Sequence, residues 1–311
     1  MSHTATRRTF LAGALAVGAA TVIGRTLSGA EPAKAPAAAP AAASPWQIGC
    51  YTRPWADQDW RVALDAIAEA GFKYAGLMTT KADKGKPNTI VSAATTPEEA
   101  QAVAAEVRKR GLKVPSVWGG GIPVAKGLQE GIDGLRRLID TCAIVGCPNL
   151  LMGGAGKAEL DAAYYKAIAE CCDYGVSKGV GMSIKPHGGT NSNTAQCRQV
   201  IERVGHKNFR LWYDPGNIFF YSDGALDPAN DAADADGQVA GMCIKDFLPP
   251  KNVAVTPGTG KVNFPAVLAR LKKGGFTGGA LVVEMIAPIE DLAQRLAEAK
   301  KARLFVEGLV A

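Results

Sequence analysis

Several things are scarce in this 311-residue chain, and each shortage removes a class of protein. The seven cysteines, Cys50, Cys142, Cys147, Cys171, Cys172, Cys197 and Cys243, are an odd number with no C-x-x-C pair. Nothing in their spacing nominates a disulfide, and most lie in apolar contexts where a buried thiol is the simple reading. Histidine is nearly absent, with three in all. Beyond the N-terminal region no stretch is apolar and charge-free for the roughly 20 residues that a membrane span needs. Excess charge is small. Of the formal +6, the first 45 residues carry Arg7, Arg8, Arg25 and Lys34 against Glu31, which leaves +3 on the remainder. That balance gives no electrostatic case for nucleic acid. With 47% apolar and 21% charged residues the composition is that of a globular protein, neither disordered nor collagen-like. A soluble enzyme or binder is what remains.

The N-terminus holds the most specific local signal. Thr6-Arg7-Arg8-Thr9-Phe10-Leu11 is a paired-arginine motif, followed by a mildly apolar run over 12–24 and an Ala/Pro tract over 31–44 with A-x-A options such as Ala33-Lys34-Ala35. Residues 1–30 read as a twin-arginine signal peptide and 31–45 as a low-complexity spacer. The expected partner at this stage is the twin-arginine export machinery, and the expected location is the periplasm. A transmembrane anchor is the rival reading, and it calls for a longer, greasier segment.

From residue 46 to 311 short apolar strands alternate with amphipathic helices. Strands are expected over 47–51, 74–78, 114–118, 149–152, 181–185, 210–213, 241–244 and 280–284. Helices are expected over 60–70, 97–110, 131–145, 159–178, 194–204, 231–238, 264–273 and 289–306. Thr96-Pro97-Glu98-Glu99 is an N-cap with proline in the first turn, and Gly71, Gly111, Gly146, Gly179, Gly205 and Gly275 each follow a helix. Eight strand–helix units in this length predict a single-domain (β/α)₈ TIM barrel of the α/β class. The doubly wound rival usually carries a Gly-rich phosphate turn after its first strand, where this chain has Cys50-Tyr51-Thr52-Arg53-Pro54-Trp55.

In such a barrel function sits at the C-terminal strand ends. Strand 8 ends an apolar run on Glu284, and strand 6 ends on Asp214. A buried carboxylate needs a cation, metal or proton partner. A structural ion pair for Glu284 and a turn- or helix-capping role for Asp214 stand beside the functional readings. Strand 5 ends on Lys185 and His187, which alternation sends to one face, and strand 7 places Cys243 and Lys245 together in the same way. Lys245 suits a substrate oxygen or anion, and Cys243 is either a soft metal ligand or a small buried thiol. Arg53, Trp118 and Asn217 complete the candidate substrate-binding set, with Trp55, Trp118 and Trp212 expected near the mouth. Gly258-Thr259-Gly260 lacks the trailing Gly-Lys-Ser/Thr of a P-loop and is weak evidence for a phosphate cradle.

Together these residues resemble the xylose isomerase-like TIM-barrel family, often called sugar phosphate isomerases/epimerases. The resemblance runs from about Trp46 to Val306 on Ile48-Gly49, Pro186-His187-Gly-Gly, Asp214-Pro-Gly-Asn217, Ile244-Lys245-Asp246 and, most specifically, Gly258-Thr-Gly260-Lys-Val-Asn-Phe264 with Val282-Val-Glu284. It implies a divalent metal (Mn, Zn, Co or Fe) held from strands 5 to 8, and proton abstraction beside a carbonyl by two glutamates. Asp214 and Glu284 match two of the ligands, whereas the strand 5 Glu falls on Lys185 and the strand 7 His on Cys243. His187, two positions on, is the candidate replacement ligand. Three functions follow as expectations. One is a sugar or polyol isomerase/epimerase with Asp214, Glu284 and His187 on a metal and Glu284, Lys185 or His187 moving the proton. Another is a metal-free enzyme forming a Schiff base at Lys185, and the third is a sugar-binding barrel without catalysis.

Overall fold

A computed structural model describes residues 44–82 and 88–311. The signal peptide and most of the spacer expected over 1–45 lie outside the described residues. Eight strands, β1 (Trp46–Tyr51), β2 (Tyr74–Gly76), β3 (Val117–Trp118), β4 (Asn149–Met152), β5 (Gly181–Ile184), β6 (Phe209–Tyr213), β7 (Val239–Ile244) and β8 (Gly279–Val283), form one parallel sheet. Its order is β2-β1-β8-β7-β6-β5-β4-β3. Bridges from Tyr74 to Lys113 and from Leu77 to Val117 bring β2 back to β3 and close the barrel. This is the expected TIM barrel.

Around it run α1 (Trp60–Glu69), α2 (Pro97–Lys109), α3 (Leu128–Val145), α4 (Asp161–Ser177), α5 (Thr194–Val204), α6 (Pro215–Tyr221), α7 (Pro228–Asp231), α8 (Phe264–Lys273) and α9 (Leu292–Val310). Among the described residues no helix is long and apolar enough to cross a membrane. The punctuation behaves as the sequence implies. Thr96 and Glu99 form a reciprocal capping box on α2, and Gly146 and Gly205 end α3 and α5 at φ 74° and 67°. Two elements differ from expectation. The helix expected over 231–238 is the short α7 followed by a 3₁₀ turn at Ala232–Ala235, and α6 is an extra helix that follows Asp214, for which the sequence left a turn and a helix cap both open. Its origin is local: Asp214 caps it through Asn217 N at 3.0 Å, and Pro215 supplies a preset φ at the first helical position.

Two apolar clusters result. One packs the outer strand faces against the helices. The other fills the barrel interior with Tyr51, Met78, Leu151, Trp212, Cys243, Ala280 and Val282. Two strand glycines make room for its large rings, since a Cβ on Gly76 would come within 2.3 Å of Tyr51 and one on Gly241 within 2.3 Å of Trp212. Trp212 and Trp55 are therefore core residues, each 1% exposed, and not part of the mouth. All seven cysteines are buried free thiols.

Candidate active site at the C-terminal strand ends

The inward parity that fills the barrel also builds the site, one residue past each strand. Lys185 follows β5, Asp214 follows β6, Lys245 follows β7 and Glu284 follows β8. All four are buried, with exposures between 0 and 2%. The Lys185 ammonium sits between the carboxylates, 2.6 Å from Glu284 Oε2 and 3.1 Å from Asp214 Oδ2, with Cys243 Sγ at 3.9 Å. Lys245 Nζ donates to Glu284 Oε1 at 2.8 Å and to Asn217 Oδ1 at 2.8 Å. Arg53 Nη1 donates to the same Glu284 oxygen, and the Cys243 thiol donates to Oε2 at 2.9 Å. Asp214 does both things the sequence left open: Oδ1 caps α6 and Oδ2 accepts from Lys185.

The electrostatics follow from these contacts. Burial alone would raise the Glu284 pKa, but Lys185, Lys245 and Arg53 outweigh it and hold the carboxyl well below the usual range. Burial alone would likewise lower that of Lys185, yet Cys243, Glu284 and Asp214 reverse the sign and keep it an ammonium. Burial, then the Glu284 charge, pushes the Cys243 thiol up, so it stays protonated.

A cavity of about 440 Å³ opens above this network, lined by Arg53, Met78, Thr79, Trp118, Lys185 and His187 with Ala56 and Met285. Lys185 Nζ lies 5.5 Å from the Trp118 ring centre, and His187 stands between Trp118 and Tyr221 with ring centres at 5.1 and 6.1 Å. Loss of surrounding water, then repulsion from Lys185 and Lys245, pushes the imidazole pKa down. The ring is nonetheless open to solvent at the mouth, which screens the size of that displacement and leaves its direction.

Sequence parity correctly joins Lys185 with His187 and Cys243 with Lys245. Of the expected substrate-binding set, Arg53 and Trp118 line the cavity. Lys245 and Asn217 stand behind it, the Asn217 amide also donating to Pro186 O at 2.7 Å. Thr79, at the end of strand 2 where a barrel's function sits, lines the cavity as well, whereas nothing local in the sequence points to Tyr221. The Gly258-Thr259-Gly260 amides serve no phosphate. Those of Gly258 and Gly260 donate to Asp246 Oδ2 at 2.9 and 2.8 Å, while Phe247 and Val262 donate to Oδ1, so Asp246 gathers this loop.

Asp214, Cys243 and Glu284 each offer a donor atom within 4.8 Å of the others, a set of the type that holds divalent ions. His187 does not belong to that set. The Lys185 ammonium lies in its midst, its protons directed at the lone pairs an ion would use. Three cations already face two carboxylates there, and the thiol is protonated. A divalent ion does not fit this arrangement while Lys185 is charged.

Comparison with known proteins agrees with the fold. Over 146 residues the chain is 29% identical to a probable L-ribulose-5-phosphate 3-epimerase, UlaE, of Mycoplasma pneumoniae, and the match spans 46% of each protein, under half the length of that relative. Among solved structures, a D-psicose 3-epimerase studied in the presence of D-fructose superimposes with a TM-score of 0.66 at 14% identity, covering 85% of this chain and 99% of that one. A xylose isomerase domain protein from Planctomyces limnophilus gives 0.65 at 20% identity, covering 85% and 97%. These structural likenesses concern the fold. The family model described as xylose isomerase-like TIM barrel matches residues 64–305, from α1 to α9, and on that match the chain belongs to this family.

Proposed function

We propose that the protein is an exported, metal-independent carbohydrate isomerase or epimerase that moves a proton on a carbon next to a carbonyl. The single observation that carries this reading is the Lys185 ammonium seated between Asp214 and Glu284, with Lys245 and Arg53 on the second Glu284 oxygen. Removing a proton beside a carbonyl builds negative charge on the carbonyl oxygen, and preorganised cations are what such a charge needs. Lys185 faces the cavity and is the group placed to polarise that oxygen; Glu284 and Asp214 hold it in position. Glu284 is a poor base here, because both its oxygens are engaged by cations. His187 is the remaining acceptor. Its imidazole is neutral near neutrality, and no hydrogen bond within the described residues occupies it. The relatives named as a ribulose-phosphate epimerase and a psicose epimerase support a sugar as the substrate. Export rests on the Arg7-Arg8 motif and its apolar run.

A Schiff base at Lys185 needs a neutral amine, which the two carboxylates oppose. The sugar-binding barrel without catalysis has one observation in its favour: all of Glu284's hydrogen-bonding capacity is already used. Proton exchange separates it from the enzyme reading. Incubated with a panel of ketoses in D₂O, the enzyme should wash deuterium into the carbon beside the carbonyl of one of them. The rate should be insensitive to chelator and at least about 100-fold lower in His187→Ala. Binding without any exchange would establish the binder, and exchange that stops on chelation would overturn metal independence.

A further inference from the structure

The cavity wall is unbalanced in charge. Among the described residues Arg53 and Lys185 line it and no carboxylate does. Behind the wall Asp214 and Glu284, the acids of the network among the described residues, are shared among three cations, so one positive charge is left over. His187 adds none, being neutral. The surplus falls on Arg53. Lys185 and Lys245 are buried and each spends two donors on oxygens of the network, whereas the Arg53 side chain is 36% exposed and spends one nitrogen, Nη1, on Glu284. Nε and Nη2 of the same planar fork have no acceptor among the described residues. An arginine held by one corner at the mouth of a cavity, with its other donors free, is preorganised for a planar bidentate anion.

We infer that the substrate is a sugar acid, its carboxylate seated on the Arg53 fork and its reacting end directed to Lys185 and His187. This rests on the reading of the cavity as a carbohydrate site. It adds the chemical class: a uronate or keto-acid sugar, which keeps a carbonyl apart from its carboxylate, in preference to a neutral ketose. Arg53 and Lys185 both line the cavity and are held on the two oxygens of the same Glu284 carboxylate, so one ligand can reach the fork and the ammonium together. The 440 Å³ volume suits one monosaccharide unit. Trp118 offers an apolar ring for its carbon face.

The test is calorimetric titration of the full chain with matched pairs: D-glucuronate against D-glucose, D-galacturonate against D-galactose. D-Fructose 6-phosphate serves as the phosphate arm, and glycerate as a small carboxylate that makes no demand on sugar recognition. A charged hydrogen-bonded pair in such a site is worth about 10- to 100-fold in affinity. The expected result is an acid at least about tenfold tighter than its neutral partner, a preference that shrinks in 0.5 M salt, survives in part in Arg53→Lys and vanishes in Arg53→Gln. The salt and Arg53→Lys measurements decide the matter even where Arg53→Gln folds poorly. Equal affinities within pairs would overturn the inference, as would a preference untouched by Arg53→Gln. A sugar phosphate bound tighter than every acid would overturn the carboxylate assignment. Glycerate bound at Arg53 with no sugar bound at all would keep the carboxylate site and sink the carbohydrate reading. Neutral sugars bound without acid preference would do the reverse.

Discussion

Replacing Lys185 by methionine keeps the length of the side chain and removes the ammonium from between two buried carboxylates. At an effective dielectric of about 20 the attractions at 2.6 and 3.1 Å are about 6 and 5 kcal/mol. Against them stand the repulsion of Lys245 and Arg53 and the several kcal/mol that it costs to take an ammonium out of water. Removing one partner of such a buried network leaves a net loss of about 3–5 kcal/mol, because Asp214 stays buried with its nearest remaining cation at 3.8 Å. Urea unfolding at pH 7 should show this loss at an unchanged slope, with a thermal midpoint lower by roughly 10 °C. Asp214→Asn in the Lys185→Met background should recover part of it, since Asp214 is the acid left without a close cation while Glu284 keeps Lys245 and Arg53. A Lys185→Met variant as stable as the parent would refute the reasoning. It would mean that the ammonium is not desolvated and that the network does not hold the strand ends together.

The reverse substitution tests the metal argument: Lys185→Glu with Cys243→His should gain a divalent ion where the parent gains none, read as about one Mn²⁺ per chain by elemental analysis after dialysis. Parent protein binding the ion equally well would refute it. The His187 imidazole has its folded pKa below its unfolded one, so the unfolded chain takes up a proton that the native chain refuses. Stability should therefore fall as pH drops below about 6.5, by no more than about 1 kcal/mol in all by pH 5 after screening, and His187→Gln should be flatter in that window. Glu284 adds a second loss at lower pH: its depressed pKa contributes stability that is complete above about 4.5 and disappears as pH falls from there, an effect absent from Glu284→Gln. Asp246→Ala strands four backbone amides and should cost about 3–5 kcal/mol, whereas a change under 1 kcal/mol would show that water replaces the carboxylate freely. Arg7→Lys with Arg8→Lys should hold the protein in the cytoplasm on cell fractionation; unaltered export would remove the twin-arginine reading.

The amino-acid sequence by itself determined the barrel. Hydrophobic period, helix caps and terminating glycines are local properties, so eight units, their order and the strand-end positions of Lys185, His187, Asp214, Cys243, Lys245 and Glu284 were legible without coordinates. Side-chain parity even paired them correctly, because alternation in a strand needs no knowledge of its neighbours. What no local rule supplies is which strand end meets which across the barrel mouth. Only the closed sheet brought Lys185 of one strand between the acids of two others, set Arg53, 231 residues away in sequence, on Glu284, and turned Trp212 into the barrel core where Gly241 leaves it room. The donors for a metal are recognisable as residue types. Whether an ion or an ammonium occupies the space among them is fixed by distances of a few ångströms between strands far apart in the chain, and charge pairing at that range is a property of the tertiary structure alone.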